Sequence, residues 1–133
     1  MFCKRFVTAL AAATIVVSSA AQAQRAEFPF GSELTLDAPP MRGSKRIPVI
    51  EIGDSGEVQL DMYCKRAQGQ LSVAGDSVIF IAGAVDSANC PPDRAQADDA
   101  LLAALSAATN WQRQGDYLTL IGPRRLRFHM NTN

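Results

Sequence analysis

Apolar and polar residues alternate with period two through most of the chain, as they do in strands that bury one face. In "SELTLDA", starting at Ser32, Leu34 and Leu36 share a side. The next stretch, "PPMRGSKRIP", holds three prolines, a glycine and three cations, a loop composition. "VIEI", beginning at Val49, predicts a second strand, and "GDSG" after it a hairpin turn. "EVQLDMYC" then sets Val58, Leu60, Met62 and Cys64 on one face, with Glu57, Gln59, Asp61 and Tyr63 on the other. This phase predicts that Cys64 is the last inward residue of its strand. A turn is expected around Gly69, followed by a hairpin of "QLSVAG" and "DSVIFIAG" with Gly75 and Asp76 at its tip.

The period changes once. After the loop "AVDSANCPP", residues Ala97, Leu101, Ala104, Leu105 and Ala108 recur at helical spacing, predicting a helix near 93–110. Pro91 and Pro92 suit its start, and Asp93 with Gln96 three residues on has the form of a capping box. Asp98 and Asp99 fall early in the helix, where its dipole favours negative charge. Adjacent helical residues diverge, so the pair is read as a solvated face and not as a metal or acid–base site. "NWQRQ", a Gly115-Asp116 turn, "YLTL", an "IGP" turn and "RRLRFHM" supply three closing strands. Leu126, Phe128 and Met130 fall on one side of the last strand, and Arg125, Arg127 and His129 on the other. The fold class is α+β and β-rich: a curled antiparallel sheet or partly open barrel of about seven to eight short strands packed on a single helix. Trp111, directly after the helix, is expected to seal it against the sheet, with a ligand-stacking platform as the alternative.

The N-terminus carries a different pattern. Lys4 and Arg5 precede the apolar run "FVTALAAATIVV", and small residues lead to Ala21-Gln22-Ala23. This is the layout of a secretory signal peptide, residues 1–23, cleaved to leave a single domain at 24–133. The apolar run is shorter than the roughly 20 residues needed to span a bilayer. Loss of Lys4 and Arg5 leaves eleven cations against thirteen acids, a net charge of −2. That balance argues against nucleic acid as a partner. The expected product is periplasmic or secreted, monomeric and without stable membrane insertion.

Compartment bears on the cysteines. Cys3 leaves with the signal, so Cys64 and Cys90 are an even pair in an oxidising setting, read first as a structural disulfide. A zinc site would want about four ligands at tight spacing. No C-x-x-C occurs and His129 is the only histidine, so no metal or cofactor is expected. A cysteine nucleophile with His129 as base is the remaining alternative, and no motif brings the two together. Two basic clusters are candidate binding surfaces: Arg42, Lys45 and Arg46 in the early loop, and Arg124, Arg125 and Arg127 near the end. Scattered surface cations are more often plain solvated positions.

Order and spacing together carry a resemblance. A strand-ending cysteine has a glycine five residues on ("CKRAQG"), a second cysteine precedes prolines and an acidic helix start ("NCPPDRAQADDALLAAL"), and "DYLTLIGPRRLRF" closes the domain. From about Gly31 to Phe128 the chain resembles the META domain, or HslJ-like, family of secreted and envelope proteins. The resemblance implies a small β-rich domain with one helix, linked to envelope stress and without established enzymatic activity. The family often has Gly-Cys-Asn at the first cysteine, where Tyr63 and Lys65 flank Cys64 here, and a threonine where this chain has Asp86. The expected function is a non-enzymatic envelope-stress or protein-interaction module acting on an envelope protein. The alternative is a small secreted inhibitor or ligand-binding β-barrel that uses the basic clusters on a protein or small ligand.

Overall fold

The computed structural model describes residues 27–87 and 89–132; the segment 1–23 expected to be a signal peptide lies outside them. The elements run β1 (Ser32–Leu36), β2 (Val49–Ile52), β3 (Glu57–Asp61), β4 (Arg66–Ala74), β5 (Ser77–Asp86), α1 (Pro92–Ala107), β6 (Asn110–Gln114), β7 (Tyr117–Ile121) and β8 (Leu126–Met130). All eight strands are antiparallel and pair in chain order, and β8 returns to β1 through Leu34↔Met130 and Leu36↔Phe128, so the barrel closes. Closure removes the unpaired edges that an open sheet of this length would present.

The period-two residues fill the interior. Leu34, Ile50, Leu60, Leu71, Phe80, Leu118, Leu126 and Phe128 are buried from the strands, and Leu101 and Leu105 join them from α1. Each such side chain contributes about 1.5–3 kcal/mol on leaving water. An eight-stranded barrel is just wide enough to be filled this way.

One seam is short. β5 and β6 share the single register pair Ser77↔Asn110, flanked by main-chain bonds from Val78 to the Thr109 carbonyl and from Trp111 to the Asp76 carbonyl, both 2.9 Å. Helix α1 joins these two strands and packs on β5. Near its start, Arg94 Nη2 donates to the Gly43 carbonyl of the β1–β2 loop (3.2 Å). Its last turn lies against Gly122, where a Cβ would come within 2.9 Å of the Ala107 carbonyl.

Four sequence expectations change. Strand β3 ends at Asp61, and Met62 N–H donates to the Lys65 carbonyl at 2.9 Å, so Cys64 is half-buried in a tight turn and not on a strand. Gly69 lies inside β4, next to a bulge, because the Phe80 ring and the Ile81 carbonyl occupy the space a side chain would need. The capping box is not made: the helix starts behind Pro91 with no side-chain cap, and it ends at Ala107. Proline at its first position has no N–H to cap and already holds helical φ. Trp111 belongs to β6, and its indole turns to the β4–β5 hairpin, where Nε1–H donates to the Gly75 carbonyl (2.8 Å).

Candidate functional site

The up-and-down order gives the barrel two unlike ends. The hairpins β2–β3, β4–β5 and β6–β7 and the described start of the chain lie at one end. Their turns carry Asp54, Asp76 and Asp116, with Glu27 at the chain start, and no lysine or arginine. The β1–β2 loop, the β3–β4 turn, the β7–β8 turn and α1 lie at the other. Both basic loops open there: Asp37 at the start of one donates its N–H to the carbonyl of Arg127, in β8 just after the other, 2.8 Å. Tyr63 Oη donates to the Pro39 carbonyl (3.1 Å), which ties the β3–β4 turn to the same rim.

The structure thus gathers both predicted cation clusters at one end. They are not equally available. Arg46 lies 3.8 Å from Asp61, and Arg127 is 3.3 Å from Asp37 with its guanidinium 3.8 Å from the Tyr117 ring centre. Arg42, Lys45, Arg124 and Arg125 are exposed, with no ion pair among the described residues.

Cys64 and Cys90 form a disulfide with Cα atoms 5.7 Å apart, within the usual range. Their sulfurs are bonded to each other, so neither is a free thiolate in this state. His129 is exposed on the outer wall of β8, edge-on to Tyr117 at 5.0 Å. Among the described residues, no group of three His, Cys, Asp or Glu is placed to hold a metal ion.

Beside the disulfide sits the residue that the sequence reading misplaced. Asp98 is fully buried, and its carboxylate accepts three consecutive main-chain N–H groups, from Tyr63 (2.9 Å), Cys64 (2.8 Å) and Lys65 (2.7 Å). Successive amides turned toward one point make an anion cradle, and the helix fills it from within. Asp99 stays exposed, as expected, and pairs with Lys65 Nζ at 2.7 Å. A signal for Asp98 was present: it precedes Leu101 by three residues and Leu105 by seven, so it lies on the apolar stripe.

At the acidic mouth of the barrel, Phe28, Phe30 and Trp111 line a depression of about 960 Å³, with Glu27, Asp76 and Arg113 around it. Trp111 and Arg113 pair with the inward-facing Leu120 and Leu118 and share their side of the sheet. Phe28 is the buried middle ring, 4.8 Å from Phe30 and 5.2 Å, edge-on, from Trp111. Arg113 fixes the chain start: Nη1 donates to the Glu27 carbonyl (3.1 Å) and Nε to the Gly115 carbonyl (3.2 Å). Phe28 and Phe30 lie in an irregular stretch ahead of β1, with no periodicity that would place them beside Trp111.

No curated protein sequence matches the chain. A solved structure described as "NMR structure of the protein" superposes with a TM-score of 0.57 over 75% of this chain and 89% of the other, at 16% identity, a resemblance of fold alone. Residues 31–132, which include every strand, the helix and both disulfide cysteines, match the META domain. The protein belongs to the META-domain family.

Proposed function

We propose that the protein is a non-catalytic interaction module of the periplasm or secreted space, and that it engages an acidic face of an envelope protein through its basic end. The carrying observation is the convergence of the 37–48 and 122–125 loops on one rim, with acidic turns at the opposite end. Such a charge separation orients a protein as it approaches a partner. The filled interior favours an external contact over a ligand held in the lumen, as in wider barrels. The signal-like N-terminus and the disulfide support an oxidising compartment.

The test compares wild type with an Arg124→Glu/Arg125→Glu variant, each immobilised as the mature domain and challenged with periplasmic extract. The proposal expects a partner retained by wild type, released by moderate salt and lost by the variant at an unchanged melting temperature. Equal retention by both proteins would remove the basic end as the contact face. An intact mass that begins at Gln24 would establish export, and one that retains residues 1–23 would overturn it.

A further inference from the structure

The aromatic depression lies at the end away from the basic rim, and its polar groups are unevenly engaged. The donors are in part already used, and the lining sets one guanidinium, that of Arg113, against two carboxylates. The Trp111 indole N–H is held by Gly75, and Arg113 is half-buried, with both bonds going to main-chain carbonyls. The acceptors are not: the carboxylates of Glu27 and Asp76 have no hydrogen bond or ion pair among the described residues. Gln112, the other polar side chain on the wall, is neutral. The same depression is lined by aromatic rings, with Phe30 40% exposed and Trp111 half-buried.

We infer that this depression binds an organic cation carrying an alkylated ammonium group. Phe30 and Trp111 contact its methyl groups, and Asp76 and Glu27 supply the countercharge. Ring faces attract a weakly hydrated cation through their quadrupole, and aromatic walls with acidic neighbours are how proteins hold quaternary ammonium groups. A small anion would meet two unpaired carboxylates and no unengaged N–H except the amide of Gln112 and what is left of Arg113. The site is independent of the basic end, so either can fail without the other.

Trp111 is the only tryptophan in the chain, so its fluorescence reports on this wall alone. The mature domain would be titrated with choline and, in parallel, with its uncharged isostere 3,3-dimethylbutan-1-ol, at constant ionic strength. The expected result is a saturable change with choline and a response at least several-fold weaker with the isostere. Phe30→Ala and Asp76→Asn, checked for unchanged melting, should each weaken choline binding roughly 3- to 30-fold. A response to phosphatidylcholine vesicles but not to free choline would place the same cation chemistry on a lipid headgroup. Equal response to choline and isostere would make the depression merely apolar and overturn the inference, as would no response to any of the three.

Discussion

Asp98 of the helix accepts the main-chain N–H of Cys64 at 2.8 Å, so the residue that carries one half of the disulfide is also gripped by the element that the other half introduces. Helix α1 is therefore fastened to the β3–β4 turn twice, once covalently and once by a buried carboxylate. Asp98→Ala would leave three amides without their acceptor. Hydrogen bonds to a charged group are worth about 1.5–3 kcal/mol each and are not additive, so a loss of about 3–5 kcal/mol is expected from urea denaturation. Asp99→Ala, one residue on and exposed, should change stability by about 0.5 kcal/mol or less. Equal effects would mean that the clasp does not form.

Breaking the disulfide is a separate perturbation. For cysteines 26 positions apart, chain entropy puts the stabilisation at roughly 3–4 kcal/mol. Reduction should lower the unfolding free energy by that amount, with a somewhat steeper denaturant dependence because the reduced unfolded chain is more extended. The Asp98 clasp should keep the helix docked, and the far-ultraviolet dichroism of the reduced protein should match that of the oxidised one. Loss of helical signal on reduction would show that the covalent tie alone holds α1.

The helix stripe makes a third prediction. Leu101→Ala and Leu105→Ala remove side chains that are 1% and 0% exposed, and each should cost about 2–5 kcal/mol. Calorimetry that finds under about 1 kcal/mol at both would mean the helix is not part of the core.

Turn chemistry provides a fourth. Gly56 has φ +83°, and a Cβ there would press into the Leu71 carbonyl, whereas Gly75 has φ +61° with nothing within 4 Å. Gly75→Ala should carry only the cost of the left-handed backbone, about 1 kcal/mol, and Gly56→Ala at least twice that. Comparable midpoints for the two variants would count against the close approach of Gly56 to β4.

How much of this was legible depended on whether a pattern had one meaning. Period-two alternation in "VIEI", "YLTL" and "LRFHM" identified strands and their buried faces because a strand with one wet face has no other economical arrangement. The helix stripe was legible for the same reason. Gly69 was ambiguous: glycine marks a turn and equally a place where a ring crosses a strand, and only the position of Phe80 decides. Cys64 kept the alternation although the strand had already ended at Asp61, because the tight turn is set by main-chain bonds that leave no periodic trace. The two ends of the barrel were out of reach for a different reason. Loops 37–48 and 122–125 meet only when β8 closes on β1, a pairing between segments nearly a hundred residues apart.

The short β5–β6 seam divides the barrel into a five-stranded meander and a three-stranded one, and a single stretch of chain, ending in Cys90 and α1, passes from the first to the second. Because Cys64 belongs to the first part and Cys90 precedes the second, a backbone cut anywhere between those two residues leaves one covalent molecule. The β1–β8 pairing would still hold the pieces in register. A protease that cut between β5 and Cys90 would produce a nicked barrel whose pieces separate only when it is both reduced and denatured, so on a denaturing gel run without reductant the damage would go unseen.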